Sequence, residues 1–464
     1  LEFGSEDLPL LHRRGRSRVI LSHHDLESTP TDLQEIRKLM ESVGHGALLK
    51  IVTFADALTD NLRIRDLLQG GDPGTLIAFC MGSKGIPSRI LAPSWGSAGI
   101  FAPLRGAPAS APGQIPLEDL FDRYHFESIG PKTRILGLLG SPVGHSISPA
   151  MHNAALAARG LDYRYLPFEA SSMAEFLPLL SELPISGLSV TLPHKETIVP
   201  YLDEIDPIAR AIGAVNTVVK SWNRMKGYNT DAEAAVAPLR RTMSLHGATV
   251  ALLGAGGAAR ALLHGLTEAG AKVTIFNRTE SRARSLATRF GARSRTWRSL
   301  EGHVCDVLIN ATSVGLAPQS DASPIPDKWV TASCVYDIVY NPPETLFLRR
   351  ARARGARILT GVDMFVEQGA AQFRLFTGEE PPVETMRHAV LAALGGGGAA
   401  PGGGIARRKG AGRPPATGIR SRAGKRRRPT GGSLRKSKPV GRRRSSGKGG
   451  SPRRGGGRSR RGGG

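Results

Sequence analysis

A glycine-rich stretch, Gly254-Ala255-Gly256-Gly257-Ala258-Ala259-Arg260, follows the apolar run 250–253 and leads into an apolar segment ending near Leu266. Strand, G-x-G-x-x-A turn and helix in that order make a cradle for a dinucleotide. Gly254 permits the tight turn, Gly256 lets the backbone approach a pyrophosphate, and Ala259 allows close helix packing. The unpaired N–H groups of the helix start favour the anion. The next apolar run, 272–276, ends in Asn277-Arg278-Thr279-Glu280-Ser281-Arg282. A site for NAD usually carries an acidic residue at this strand end to hold the ribose 2′-hydroxyl. Arg278 stands in that region instead, and with Arg282 it is placed to hold a 2′-phosphate by charge-assisted hydrogen bonds. A merely solvated basic helix start would set these arginines against the helix dipole. The expected cofactor is therefore NADP(H), held by Gly254, Ala255, Gly256, Gly257, Ala258, Asn277, Arg278, Thr279 and Arg282.

Four polar turns precede this region. They are Gly140-Ser-Pro-Val-Gly-His145-Ser146-Ile-Ser148-Pro149, Ser189-Val-Thr191-Leu-Pro193-His-Lys195-Glu196, Gly213-Ala-Val-Asn216-Thr217 and Gly227-Tyr-Asn229-Thr230-Asp231. Each is expected to follow a strand, and together they supply the hydroxyl and amide partners that a polyhydroxylated ring requires.

The elements that must position these residues follow from periodicity. Short apolar runs at 19–21, 48–53 and 76–81 alternate with helix-like stretches at 32–43 and 61–68, which argues for βα units and a parallel sheet. A Pro- and Gly-rich connection, 107–114, leads to a helix near 117–124. A new unit opens with the strand 134–139, and βα units continue to about Ala235. The pattern restarts with the strand 248–253, and 250–394 alternates as a dinucleotide-binding domain does.

Charge is unevenly shared. Of the formal +24, 22 basic residues and no acidic ones lie in 395–464, so 1–394 carries only +2. That tail has no apolar pattern to bury and is expected to be disordered. A nucleic-acid-binding protein is the rival reading this tail offers, but it has no interleaved aromatics and no folded reader, so nucleic acid would be held only non-specifically through phosphates, if at all. Cys80, Cys305 and Cys334 lie far apart without metal-ligand spacing, so neither a disulfide framework nor a metal site is indicated. No run has the roughly 18 apolar residues of a membrane span. A soluble protein of the cytoplasm, or of the plastid if the source is a plant, is expected. The start at Leu1, without Met or a signal-peptide pattern, reads as a truncation.

The four turns together with GAGGAAR and NRTESR resemble the shikimate dehydrogenase family throughout 134–394. The resemblance implies NADPH-dependent reduction of 3-dehydroshikimate to shikimate, with a quinate or quinate/shikimate dehydrogenase as the alternative on the same fold. It implies Lys195 and Asp231 as the catalytic pair. Ser146, Ser148, Thr191, Asn216, Asp231, Tyr340 and Gln368 hold substrate, the two serines taking the carboxylate with Tyr340. Ile338 and Gly361 stand near the nicotinamide. Chemistry supports the pair, because hydride delivered to a ketone leaves an alkoxide that a cation or acid stabilises. Two departures are visible: Ser189 where many members have Asn, and Gly361-Val-Asp-Met without a second glycine.

Residues 1–125 resemble the C-terminal part of type I 3-dehydroquinate dehydratase, a TIM-barrel enzyme. The motifs are Leu21-Ser-His-His24-Asp-Leu-Glu-Ser-Thr29-Pro30, Leu49-Lys50-Ile51, Met81-Gly-Ser-Lys-Gly-Ile-Pro-Ser88-Arg89 and Ala111-Pro-Gly-Gln114. The resemblance implies Lys50 as the imine-forming lysine and His24 as its proton-transfer partner, with Arg89 and Gln114 on the substrate. Lys50 follows an apolar run, which lowers the pKa of an amine and makes it nucleophilic. The chain is expected to begin within the fourth barrel strand, leaving two exposed sheet edges and a lost or residual dehydratase activity. The expected fold is thus α/β: a partial TIM barrel over 1–125, an α/β substrate-binding domain over 134–235, a Rossmann domain over 236–394 whose last helices pack back on the substrate domain, and the disordered tail 395–464.

Overall fold

The computed structural model describes residues 2–4, 18–44, 46–222 and 224–395, so the basic tail expected to be disordered lies, but for Gly395, outside the described residues. No helix among the described residues is long and apolar enough to cross a membrane.

The first region contains β1 (Ile20–His24), α1 (Leu33–Val43), β2 (Leu48–Phe54), α2 (Asp60–Gln69), β3 (Leu76–Met81), α3 (Ile86–Leu91) and α4 (Leu117–Asp122). The strands form a parallel sheet in the order β1-β2-β3. Every residue of β3 is buried, as expected of a strand covered on both faces. One face packs Leu49, Ile51, Ala78 and Cys80 against Leu33, Met40, Ile64 and Leu67 of the helices. The other packs Val52, Phe79 and Met81 under Ile100 and Ala111 of the following loop.

The two exposed edges expected here are partly covered. Phe3 N donates to Ser22 O at 2.6 Å beside β1, while Ala98 N reaches Leu76 O at 2.8 Å and Gly82 N reaches Pro112 O at 3.1 Å along β3. Passing backbone thus satisfies part of each free edge without forming a full strand.

The second region contains β4 (Arg134–Gly140), α5 (Ser148–Ala158), β5 (Tyr163–Glu169), α6 (Met173–Glu182), β6 (Ile185–Val190), α7 (His194–Thr197), β7 (Glu204–Ile205), α8 (Pro207–Ile212), β8 (Thr217–Ser221), β9 (Arg224–Tyr228) and α9 (Asp231–Arg240). Its sheet runs β5-β4-β6-β8-β9-β7. The uninterrupted βα alternation expected to about Ala235 breaks at β8, which is antiparallel to both β6 and β9. For the same reason the Gly213–Thr217 turn does not follow a strand: it leaves α8 at Gly213, in the left-handed conformation with φ 73°, and enters β8.

The third region contains β10 (Thr249–Leu253), α10 (Gly257–Glu268), β11 (Lys272–Phe276), α11 (Glu280–Phe290), β12 (Arg293–Arg295), β13 (Val307–Asn310), β14 (Cys334–Asp337), α12 (Leu346–Ala353), β15 (Arg357–Leu359), α13 (Gly361–Thr377) and α14 (Val383–Leu394). The strands are all parallel, in the order β12-β11-β10-β13-β14-β15. This is the doubly wound order that places a ligand crevice beyond the C-terminal ends of the central strands, where the winding reverses.

Packing joins the regions differently from chain order. α9, divided at 235 in the sequence reading, buries Ala234, Ala235, Val236 and Leu239 in the core of the third region. α13 and α14 return to the second: Val366, Phe373, Met386 and Val390 share a core with Leu136, Met151 and Tyr165. A capping box of Thr360 and Asp363 starts α13. The first region is continuous with the second through Leu58, Ile90, Leu120 and Tyr124 against Phe168 and Phe176. At the rim of that junction Lys84 pairs with Glu175 at 2.6 Å.

Candidate active site

Three of the polar turns end at one cavity of about 500 Å³, and the fourth, 227–231, delivers Asp231 to it. Ser146, Ser148, Thr191, Lys195, Asn216 and Asp231 face it from the second region. Ala258, Ile338, Tyr340, Gly361 and Gln368 face it from the third region and α13. All the substrate-site residues expected for 134–394 are therefore brought together.

Lys195 sits in the single turn α7, which is pinned at both sides: His194 Nε2 donates to Ala170 O at 2.8 Å, and Lys195 O accepts from Val215 N at 2.8 Å. Asp231 is the first residue of α9, where the helix dipole favours a carboxylate. Lys195 Nζ donates to Asp231 Oδ2 at 2.6 Å, and Asn216 Nδ2 donates to Asp231 Oδ1 at 2.8 Å. The side chains are only partly exposed, 29% for Lys195 and 14% for Asp231. Asn216 Nδ2 also donates to Thr230 Oγ1 at 2.9 Å. Both amide hydrogens of Asn216, expected on substrate, thus hold protein groups in this geometry.

Ser146 Oγ donates to Ser148 Oγ at 3.2 Å, and Ser148 opens α5, so two hydroxyls stand beside a helix start suited to a carboxylate. Tyr340 packs against Phe365, the ring centroids 4.7 Å apart and the planes tilted by 31°, and burial raises its pKa, keeping the phenol a neutral donor. Gln368 Nε2 donates to Phe365 O at 3.1 Å. Gly361 has no room for a side chain: an added Cβ falls 2.5 Å from Ile338 O. That close approach brings the start of α13 to the cavity wall.

A second cavity, also about 500 Å³, is lined by Ala255, Gly256, Gly257, Arg260, Ser281, Arg282, Ser285, Leu286 and Arg289. Gly254 takes φ 107°, and a Cβ there would meet Ala311 O at 2.9 Å, while Gly256 and Gly257 have open space before them. No side chain among the described residues caps α10, which leaves its first N–H groups open to an anion. The residues present fit a dinucleotide with an extra phosphate. Of the two expected arginines, Arg282 lines the cavity, whereas Arg278 is exposed and does not. Asn277 Nδ2 donates to Thr279 O at 2.8 Å and shapes the turn between them.

Sequence reasoning missed Arg260, although it ends the glycine motif, and Arg289. Both also tie the third region to the second: Arg260 Nη1 bonds Glu196 Oε1 at 2.9 Å, beside Lys195, and Arg289 Nη2 donates to Ala211 O at 2.8 Å. Spacing within a helix gave no sign of either partner.

None of the first region's expected residues lines these cavities. Register pairs Ser22 with Lys50 and His24 with Val52, so His24 and Lys50 share one sheet face. Lys50 Nζ lies 4.2 Å from the centroid of the Phe101 ring, and its pKa is lowered by burial, opposed by Glu2 and assisted by Arg89. His24 Nδ1 bonds Glu2 Oε2 at 2.9 Å. Arg89 is 1% exposed over the Phe79 ring. Its Nε and Nη1 have no hydrogen-bond partner among the described residues, and burial lowers its pKa to about 10. Gln114 Oε1 accepts from Ser110 N at 2.8 Å, closing its own turn.

Models of known families match all three regions. Type I 3-dehydroquinase matches 5–131, the shikimate dehydrogenase substrate binding domain 138–218, shikimate / quinate 5-dehydrogenase 237–317, and the shikimate 5′-dehydrogenase C-terminal domain 361–391. The chain is 36% identical over 392 residues to a chloroplastic bifunctional 3-dehydroquinate dehydratase/shikimate dehydrogenase of Arabidopsis thaliana, covering 80% of this chain but only 65% of that one. It is 43% identical over 279 residues to the shikimate dehydrogenase (NADP(+)) of Moorella thermoacetica, 57% of this chain and 94% of that one. Among solved structures, shikimate 5-dehydrogenase of Thermus thermophilus in complex with NADP(H) and shikimate is 39% identical, covers 56% of this chain and 100% of its own, and gives a TM-score of 0.52.

Proposed function

The chain belongs to the shikimate dehydrogenase family, and from that premise we propose that it reduces 3-dehydroshikimate to shikimate with NADPH through Lys195 and Asp231. The observation that carries the reading is the Lys195–Asp231 pair at 2.6 Å in a cavity walled by both the hydroxyl-bearing turns and the glycine turn.

In this reading the Ser146 and Ser148 hydroxyls, with Tyr340, receive the substrate carboxylate. That contact sets the ring so that its ketone oxygen meets Lys195 Nζ. As the carbonyl carbon is reduced, charge grows on that oxygen, and the ammonium stabilises it and passes a proton to it. Asp231 keeps Nζ aimed, and Asn216 keeps Asp231 aimed. Gly254, Gly256 and Gly257 with the α10 N-terminus and Arg260 would hold the cofactor pyrophosphate, and Arg282 with Arg278 and Arg289 its further phosphate. A reduced nicotinamide, when bound, supplies the hydride.

Quinate as preferred substrate is not favoured, since the relatives described above are named for shikimate. NADPH absorbance followed with 3-dehydroshikimate and with 3-dehydroquinate tests the reading: oxidation is expected with the first compound, and its absence there sinks the assignment. The bifunctional relative is chloroplastic; for this chain we propose the cytoplasm, or the plastid if the source is a plant.

We propose further that the first region does not dehydrate 3-dehydroquinate in the chain as given. Imine chemistry at Lys50 requires a closed pocket that orients the ketone, and three parallel strands among the described residues do not enclose one.

A further inference from the structure

Gln372 lies on α13, 2% exposed, at the wall of the active-site cavity. Its amide is committed at both ends. Ser189 Oγ donates to Oε1 at 2.9 Å, and Nε2 donates to Asn216 O at 3.1 Å and to Thr217 Oγ1 at 3.0 Å. A primary amide has two hydrogens, and both of these hold protein groups here. From Thr217 the bonds continue. Thr217 Oγ1 donates to Asn216 Oδ1 at 2.8 Å, Asn216 Nδ2 donates to Asp231 Oδ1 at 2.8 Å, and Asp231 Oδ2 accepts from Lys195 Nζ at 2.6 Å.

The direction of each bond is fixed by the next. An amide can turn over, exchanging its oxygen and nitrogen with little change in shape. If Asn216 did so, its oxygen would face the Asp231 carboxylate and repel it. Thr217 Oγ1, accepting from Gln372, turns its hydrogen to Asn216 Oδ1 at 2.8 Å in preference to Thr230 Oγ1 at 3.4 Å, and that favours the Asn216 orientation whose Nδ2 points at Asp231. Thr230 N, donating to the same Asn216 Oδ1 at 2.8 Å, selects it as well. Such a chain is worth more than its separate links because its bonds lie in a buried setting and are matched donor to acceptor.

We propose that Gln372 is a positioning residue for the reduction, acting through Thr217 and Asn216 on Asp231 and hence on Lys195. It also accounts for Ser189, the residue that departs from the family pattern: its hydroxyl occupies the Gln372 oxygen, leaving the amide nitrogen toward Thr217. The proposal rests on the dehydrogenase reading above.

The test compares wild type, Gln372→Met, Thr217→Val, Thr217→Ser and the Gln372→Met/Thr217→Val double variant, measuring kcat, both KM values and melting temperature. The expected result is a kcat loss of about 10-fold or more in Gln372→Met and Thr217→Val, with KM values changed less than about 3-fold and Thr217→Ser near wild type. The double variant should lose little more than the worse single one, because both cut one chain. Wild-type kcat in Gln372→Met and Thr217→Val, whatever their melting temperatures, overturns the proposal, as does full additivity of the two losses. If Gln372→Met fails to fold, the Thr217 Val and Ser pair decides alone: equal kcat in the two overturns the proposal. A wild type that does not reduce 3-dehydroshikimate instead overturns the dehydrogenase reading, and this inference with it.

Discussion

Lys195 and Lys50 each stand in a motif that promises chemistry, but they occupy opposite electrostatic settings. Lys195 is paired with Asp231 at 2.6 Å, and the acid is itself held by Asn216. Lys50 has no ion pair among the described residues; it lies 4.2 Å over the Phe101 ring, and burial lowers its pKa. The first setting suits a lysine that works as a charged proton donor, the second one that must lose its charge to become a nucleophile. In the proposed reading, what separates them is enclosure. Lys195 faces a cavity built by two sheets, whereas Lys50 faces a loop laid across three strands. The comparison teaches that a side chain's tuning is local, while a reaction site needs walls that come from elsewhere in the chain.

The largest effect expected is all-or-none. Treatment with 3-dehydroquinate and borohydride should add no ligand mass at Lys50, read by peptide mass spectrometry, and no dehydration should be measurable. An adduct at Lys50 would break the comparison, because it would show that the open face still positions the ketone. An adduct that forms only when further barrel strands are joined to this sheet would point to enclosure as the deciding factor.

On the other side, Lys195→Ala and Asp231→Asn should each lower kcat by about 10²- to 10⁴-fold, the usual worth of a positioned proton donor. NADPH affinity, measured by fluorescence titration, should stay within about 2-fold, because the pair acts at the substrate. Turnover like that of wild type in either variant removes Lys195 from its role and makes the two lysines alike.

Cofactor selectivity comes next. Arg282→Ala should weaken NADPH by about 10- to 100-fold and NADH far less, matching the loss of a charge-assisted bond to a phosphate only NADPH carries. Arg278→Ala should act in the same direction, since that exposed side chain stands just past the end of β11, where a ribose 2′-phosphate is read. Arg260→Ala should weaken both cofactors together, through the pyrophosphate. Equal losses for the two cofactors in Arg282→Ala would show that no 2′-phosphate contact exists.

The smallest effect concerns burial beneath the cavity. His152 is fully buried and stacked on Tyr165, and burial, opposed only weakly by the nearby Gln372 amide, lowers its pKa from 6.5 to about 4. The unfolded chain therefore binds a proton that the folded chain refuses between about pH 6.5 and 4, and stability is lost as pH falls through that window. Asp337 opposes this: burial raises its pKa from 3.8 to about 6, so its contribution is lost as pH rises over 3.8–6. The comparison must be between wild type and His152→Phe, whose melting temperature should decline less, by on the order of 5 °C, from pH 6.5 to 4. Parallel curves would show that His152 does not titrate as its burial demands.

Much of this molecule was legible without coordinates, and the reason is local. Strands such as Leu76–Met81 and Lys272–Phe276 announce themselves by continuous apolar runs, and the Gly254 turn by a backbone conformation, φ 107°, that a side chain would obstruct. The family resemblance that the motifs carry likewise named residues that line the main cavity, Tyr340 and Gln368 among them. Tertiary structure alone decided the rest. It made β8 antiparallel, set Arg260 and Arg289 beside Arg282 on the wall of the second cavity, and covered parts of the sheet edges with passing loops. Above all it set Gln372 against Ser189, 183 positions earlier in the chain. Periodicity and turn chemistry are properties of neighbours in sequence, so sequence determines them. Which buried amide meets which hydroxyl depends on how helices return to a sheet, and that is fixed only when the cores pack.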